Sequence, residues 1–405
     1  MNILYLNHYA GSPALGMEYR PYYLAREWVR LGHRVQIIGA TYSHVRTRQP
    51  QPGDELIDGI HYRWLPTPGY QGNGVGRVWN IFRFLAPLWW RAGALAAEFK
   101  PDVVIASSTY PMDIWVARRI ARRANALLVF EVHDLWPLSP IELSGMSPGH
   151  PFIRLCHAAE SAAYRHADRV VSMLPVVHEY MASRGLDLKR LSIVPNGITL
   201  EEWQGTPAPL REDVAAAIAA QRAAGRTVVG YAGSMGLPNA LDVLLDAAAL
   251  LRSDTLAIVM VGDGLERERL AQRVAAEGLS NVIMLPPIPK AQIPSFLGRI
   301  DIAYIGWQRV PIYRFGIAPN KLMDYMMARC AVLHSVAAGN DPVAESGCGL
   351  TVIPQSPEAV AAGLRQLAAV PEAERRAMGE RGREFVLSHH TYPVLARRFL
   401  QALLR

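Results

Sequence analysis

The chain has 405 residues, half of them hydrophobic, and carries 42 Lys and Arg against 35 Asp and Glu for a formal charge of +7. That length exceeds one typical core, so two domains of a well-buried globular enzyme are expected. The three cysteines, Cys156, Cys330 and Cys348, lie too far apart for metal-ligand spacing and suit reduced thiols in the cytoplasm, and no stretch reaches the ~20 apolar residues of a spanning helix.

Residues 1–200 hold 21 Lys and Arg against 15 Asp and Glu, and the remainder 21 against 20, so the basic excess sits in the first half. Such a half suits nucleic acid, anionic lipid or a phosphorylated substrate, and an Arg-rich coding bias produces it as well. Met1 leads straight into a strand over residues 2–7, with no basic, apolar and cleavage regions in order, so no signal peptide is expected. A glycine-bearing loop follows, His8 to Gly16, including Gly11 and Gly16. A helix is expected from Glu18 to about Leu31, then a strand over Arg34–Gly39. Strand, loop, helix and strand in this order predict a parallel α/β sheet, whose ligands bind at the strands' C-terminal ends. The loop lacks both GxGxxG and the ending of a phosphate-binding P-loop, which disfavours a dinucleotide oxidoreductase and a P-loop enzyme.

Residues 46–76 are rich in Pro, Gly and Gln and read as a mobile loop around one short strand, Ile60–Leu65. Arg77–Ala97 interleaves Trp79, Phe82, Phe84, Trp89 and Trp90 with Arg77, Arg83 and Arg91. Aromatic and basic residues together suit a helix lying on an anionic membrane, which Pro87 would kink or divide. The alternative is a helix buried in its own domain. Strands are expected at Val103–Ala106, Leu127–Val132, Arg169–Met173 and Leu191–Val194, with a helix to about Ala124. His133-Asp134-Leu135-Trp136-Pro137 sits directly after the second of these strands. His133 is therefore a candidate for the ligand side of the sheet, or a satisfied core histidine. Pro195-Asn196-Gly197 is a turn, and the first domain is expected to end there.

A second series of strands is expected at Thr227–Ala232, Leu256–Val261, Val282–Leu285, Ile300–Tyr304, Ala331–His334 and Leu350–Ile353. Gly233-Ser234-Met235-Gly236 leads into a helix over Asn239–Leu251, and Gly262-Asp263-Gly264 and Pro286–Lys290 follow the next two strands. From Glu358 the chain reads as helical, ending in Tyr392–Leu404. Two such halves imply a cleft between them.

The densest chemistry lies in Phe315–Val332, a loop entering a buried helix. Pro319 suits a first helical position. The first-turn N–H groups and the helix dipole then make a place for phosphate. Lys321 stands in that turn and Asp324 lies three residues on, on the same face. An ammonium suits a diphosphate and a carboxylate suits the hydroxyls of a ribose. The other reading is an ordinary ion pair at this spacing. Only four lysines occur, Lys100, Lys189, Lys290 and Lys321, so a Lys at a helix start suggests that a flexible point charge is used there.

The order of HDLWP, VPNGI, YAGSMG, VGDG and PNKLMDYMMA resembles the family-4 retaining glycosyltransferases of the GT-B fold over nearly the whole chain. The likeness extends to bacterial surface-polysaccharide members, including O-antigen N-acetyl-L-fucosamine transferases. It implies an α/β chain of two Rossmann-like domains, 1–195 on the acceptor side and 196–390 binding the nucleotide sugar, with 391–405 crossing back onto the first. It implies that Asp324 holds the ribose and that backbone amides of Ile317, Ala318, Pro319 and Asn320 hold the diphosphate. It places His133 near the donor sugar and its β-phosphate, the loop of Gly11 and Gly16 over the donor, Gly233 and Ser234 at the phosphates, and Gly262 with Pro287–Lys290 beside the base. The expected catalytic residues are His133 and Lys321.

The chain departs from that pattern in two places. The family's usual Glu is Gly316, and in the other place its usual Arg is Ser234 and its usual Lys falls near Asn239; Lys321, Lys290 or Arg309 would have to supply charge instead. No DxD pair lies in a suitable loop, which fits metal independence, and no carboxylate pair suits double displacement; the resemblance implies front-face transfer with retention. The donor, UDP-linked, is a substrate, and no cofactor is expected. The expected partners are a polyprenyl-diphosphate-linked saccharide and the anionic inner face of the inner membrane, with no nucleic acid. A sugar-nucleotide 2-epimerase and a non-catalytic nucleotide-sugar-binding subunit remain as alternatives.

Overall fold

The computed structural model describes the whole chain except Met17, Glu18, Asn73 and Arg405. It divides into two compact units, Met1–Asn196 with Tyr392–Arg405, and Gly197–Thr391.

The first unit is built on eight strands: β1 (Asn2–Leu6), β2 (Arg34–Ala40), β3 (Gly53–Ile57), β4 (Ile60–Leu65), β5 (Val103–Ala106), β6 (Leu127–Val132), β7 (Arg169–Ser172) and β8 (Leu191–Ile193). Their order is β3-β4-β2-β1-β5-β6-β7-β8. All pair in parallel except β3 on β4. Ile3, Leu4, Tyr5 and Leu6 of β1 are fully buried, as a central parallel strand covered on both faces requires.

The expected mobile loop over 46–76 is not one throughout. Residues 53–65 form a hairpin whose turn is Asp58-Gly59, with φ of 50° and 81°. Two positive φ angles match the right-handed twist of the flanking strands, and Asp-Gly supplies both without strain. The Asp58-Gly59 pair is a hairpin signal in the sequence itself, so β3 is an addition to the single strand expected there.

Helix α1 (Arg20–Arg30) covers β1 and β2; its expected start at Glu18 lies outside the described residues. The C-terminal helix Tyr392–Leu404 packs on α1. Trp28 donates from Nε1 to the Ala396 carbonyl at 3.2 Å and meets Phe399 ring to ring at 5.1 Å, and Tyr23 stacks near Tyr392 at 4.8 Å. Helix α2 (Val75–Phe99) runs unbroken through Pro87. The carbonyl that Pro87 leaves without a helical partner belongs to Arg83 on the exposed side of the helix, where water can take it.

Helix α2 has a buried apolar face and an exposed face that carries aromatic side chains. Ile81, Phe84, Leu88, Leu95 and Phe99 are buried, whereas Trp79, Phe82 and Trp90 are 51%, 55% and 79% exposed. Arg83 and Arg91 are exposed too. Arg77 turns inward, its guanidinium 5.7 Å from the Tyr9 ring and 5.6 Å from Trp136. Among the described residues no helix is long and apolar enough to cross a membrane.

The second unit is a six-stranded parallel sheet of β9 (Thr227–Ala232), β10 (Leu256–Val261), β11 (Val282–Leu285), β12 (Ile302–Gly306), β13 (Ala331–Ser335) and β14 (Gly349–Thr351), in the order β11-β10-β9-β12-β13-β14. The strands expected at Ile300–Tyr304 and Leu350–Ile353 are displaced by one or two residues. The helix Asn320–Met327 lies against this sheet with Leu322, Met323, Tyr325, Met326 and Met327 buried. Cys156, Cys330 and Cys348 are buried free thiols.

Candidate nucleotide-sugar site

In the second unit β9 ends at Ala232 and the backbone turns at Gly233, φ +143°. A Cβ on Gly233 would stand 2.7 Å from Lys321 Cε, and one on Gly262 would stand 1.9 Å from the Gly233 carbonyl oxygen. Both positions therefore admit only glycine, because the loops after β9 and β10 and the Lys321 side chain share one small volume.

Pro319 is not the first helical residue but the N-cap, and Asn320 begins the helix. The Pro319 carbonyl accepts from the amides of Leu322 at 3.1 Å and Met323 at 3.4 Å. The set of amides expected for a diphosphate narrows accordingly. Pro319 has no N–H, and the Ile317 amide already donates to Asn340 Oδ1 at 2.7 Å, so of that set Ala318 and Asn320 carry the relevant N–H groups. The Asn340 side chain also returns a bond to the Ile317 carbonyl at 3.0 Å. Asn340 had no motif around it and was missed.

Lys321 and Asp324 do not pair with each other; they point to two places. The Lys321 ammonium donates to Tyr231 Oη at 2.7 Å and Asn239 Oδ1 at 3.1 Å, and it sits 4.1 Å above the Tyr231 ring. It thus lies beside Asn239, near which the resemblance leads us to expect a lysine. Ser234 contributes its carbonyl, which accepts from Tyr231 Oη at 2.5 Å and Asn239 Nδ2 at 3.0 Å. Burial lowers the Lys321 pKa to about 7. Arg309 is exposed.

Asp324 opens on a cavity of about 490 Å³ whose walls include Glu202, Trp203, Lys290, Ile293 and Pro294. Burial raises its pKa to about 7, with Lys290 opposing and Glu202 adding to the rise. Lys290, expected beside a base, bridges to Glu202 at 2.7 Å. Glu202 and Trp203 come from a short turn after the VPNGI segment, where no periodicity or motif marked them.

In the first unit His133 follows β6 as expected, and it is anchored by a buried network. Glu131 Oε1 accepts from Arg20 Nε at 2.9 Å. Its other oxygen accepts from Tyr5, from Ser107 Oγ at 2.6 Å and from His133 Nε2 at 3.2 Å. Ser107 spends its one O–H on Glu131, so its oxygen accepts from His133 Nε2 at 2.8 Å. The geometry therefore places a proton on Nε2. Arg20 also donates to the carbonyls of Val194 and Pro195. Burial alone would raise the Glu131 pKa, but Arg20 and His133 hold it well below the carboxylate range. Gly11 and Gly16 are both buried in this unit. Gly11 accepts at its carbonyl from Tyr62 Oη at 2.9 Å, and a Cβ on Gly16 would stand 2.8 Å from Thr47 Oγ1.

Comparison with known proteins decides the family. Residues 16–197 match the model of the glycosyl transferase 4-like domain and residues 226–369 that of the glycosyl transferases group 1. The chain belongs to the family-4 glycosyltransferases of the GT-B fold. It is 22% identical over 285 residues to the Escherichia coli K12 protein WcaI, named for a colanic acid biosynthesis glycosyl transferase, with 68% of each chain covered. Among solved structures it is similar to sucrose-phosphate synthase from Thermosynechococcus elongatus, with TM-score 0.71 at 18% identity and 99% and 98% of the two chains covered. It is also similar to Anabaena HepE in complex with UDP and glucose, with TM-score 0.64 at 16% identity and 100% and 99% covered. This glycosyltransferase thus shares its fold with enzymes of quite different sequence.

Proposed function

We propose that this glycosyltransferase moves a sugar from a UDP-linked donor, with retention at the anomeric carbon, to a polyprenyl-diphosphate-linked saccharide in the assembly of a bacterial surface polysaccharide. The observation that carries the reading is the split between Lys321 and Asp324. The ammonium sits at the C-terminal end of β9 beside a glycine, while the carboxylate faces a cavity one helical turn away. That separation suits the diphosphate and the ribose of one nucleotide. HepE, of the same fold, has been crystallised with UDP and glucose, and the name of WcaI supports a surface-polysaccharide product.

In this reading the leaving diphosphate gathers negative charge as the glycosidic bond breaks. Lys321 and the amides at the start of its helix stabilise that charge without a metal, an effect of several kcal/mol when such donors are preorganised, roughly that of an oxyanion hole. His133, oriented through Nε2, serves the donor sugar. The reaction is front-face, with a β-phosphate oxygen taking the acceptor proton. The exposed aromatic stripe of α2 with Arg83 and Arg91 attaches the enzyme to an anionic cytoplasmic membrane surface, where such an acceptor resides.

The test is a mass-spectrometric transfer assay across UDP- and GDP-sugars with polyprenyl-diphosphate saccharide acceptors, with the product anomer read by NMR. The expected result is addition of one sugar with retained configuration by the native enzyme and a loss of at least about a hundredfold in Lys321→Ala. No transfer from any donor, or unchanged turnover in folded Lys321→Ala, overturns the reading.

A further inference from the structure

Helix α3 (Asp113–Ala124) presents Arg118, Arg119, Arg122 and Arg123 together. Residues four apart on a helix are neighbours, so Arg118 repels Arg122 and Arg119 repels Arg123. Arg122 and Arg123 stand in the last turn, where the helix dipole favours cations. Arg118 and Arg119 lie a turn earlier and gain less from it. Among the described residues no carboxylate forms an ion pair with any of the four.

What holds them is the neighbouring helix α2. The Arg119 guanidinium lies 4.6 Å above the Trp89 ring and donates to the Trp89 carbonyl at 3.1 Å. Arg123 crosses α2 at Gly93, where a Cβ would stand 2.6 Å from its Nη1. With Trp89 and Trp115 the four arginines line a groove of about 390 Å³. At the end of the helix Pro151–His166, burial first, then Arg118, Arg165 from outside the groove and Arg122, lower the pKa of His166. Trp89 belongs at once to this groove and to the exposed aromatic stripe of α2.

We propose that the groove is a phosphate site for the headgroup of an anionic phospholipid, set at the margin of the aromatic stripe. Planar guanidinium forks match phosphate oxygens, and Trp belongs at headgroup depth. A soluble phosphate ester would satisfy the arginines but leave the adjoining stripe in water, which favours the lipid. The inference rests on the membrane attachment proposed above and makes it specific to a site rather than to net charge.

The experiment is flotation with vesicles of phosphatidylcholine alone and of phosphatidylcholine with one-fifth phosphatidylglycerol, in the absence of donor and acceptor, so that its result is independent of sugar transfer. The proteins are the native chain, the pair R118Q/R122Q and a control pair R48Q/K189Q that removes the same charge outside the groove, each checked for folding by circular dichroism. Native protein is expected to prefer phosphatidylglycerol vesicles by about tenfold or more. The preference should fall to about twofold in R118Q/R122Q and persist in the control. Should the glutamine pair fail to fold, R118K/R122K keeps the charge but removes the fork, and is expected to lose most of the preference. Equal loss in the groove and control pairs, or an unchanged preference in R118K/R122K when it is the variant used, overturns the site. Native binding without headgroup preference overturns the site and leaves attachment through the stripe, whereas no binding to either vesicle overturns both. Tight binding of inorganic phosphate by calorimetry without vesicle preference would make it a soluble-anion site and overturn the lipid occupant.

Discussion

At the scale of single residues the site is governed by two partly buried charges whose pKa values converge. Burial lowers Lys321 to about 7 and raises Asp324 to about 7. A ribose hydroxyl pair is bound best by the ionised carboxylate, and a diphosphate by the protonated amine. UDP affinity should therefore rise as pH climbs toward 7 and fall at higher pH, with the alkaline limb shifted upward because a bound diphosphate favours the ammonium. Calorimetry from pH 5.5 to 9 checks this, and Asp324→Asn should flatten the acid limb while weakening UDP about tenfold. A native affinity that is flat with pH would contradict the assignment. The sign for stability is separate. Asp324 has a raised folded pKa, so its contribution is present below the unfolded value near 3.8 and is lost as pH rises through about 7. Denaturant midpoints between pH 5 and 7 should accordingly fall less with pH in Asp324→Asn than in the native protein. In the first unit, Glu131→Gln removes the charge that pairs with buried Arg20, which should cost about 3–5 kcal/mol. It should also mix the His133 tautomers seen by nitrogen NMR. A native spectrum dominated by Nδ1–H would show that the network is drawn wrongly. The place of Lys321 and Asp324 on one short helix was legible from the sequence because a helix start announces itself over a few residues. The Arg20–Glu131 pair was not, because its partners lie 111 residues apart and meet through the packing of α1 over the sheet.

At the scale of elements, what could be read was whatever carried its own periodicity or punctuation. The buried strands of both sheets are short apolar runs, and each was visible to within one or two residues. The hairpin Gly53–Leu65 was harder because β3 is almost wholly exposed and so has no apolar alternation. The passage of α2 through Pro87 depends on which side of the helix faces water, a tertiary fact. The C-terminal helix is the element whose docking can be tested directly. Phe399 is fully buried between Trp28 and the rest of that core, so Phe399→Ala should destabilise the first unit by about 3–5 kcal/mol, read from denaturant unfolding. A loss under about 1 kcal/mol would mean that the helix is not integral to that unit.

At the scale of the whole chain, two compact units with separate cores predict that ligand energy is distributed unevenly. The residues that would hold the nucleotide, Lys321, Asp324, Gly233, Gly262 and the amides before the Asn320–Met327 helix, all belong to Gly197–Thr391. A ligand that binds only the folded state stabilises what it touches, by about 2.7 kcal/mol at a hundred times its dissociation constant. Amide exchange in those elements then requires opening against that added energy, whereas local openings elsewhere do not release the ligand. UDP lacks the transferred sugar, which is the part that the proposed role of His133 serves. Hydrogen exchange with saturating UDP should therefore slow in β9, β12 and the Asn320–Met327 helix by up to about a hundredfold, with the β1–β8 sheet and the C-terminal helix unchanged. Asp324→Asn should shrink the effect in proportion to its lost affinity. Equal protection of both sheets by UDP would show that the nucleotide is not held by the second unit alone, and the assignment of its site to Lys321 and Asp324 would then be incomplete.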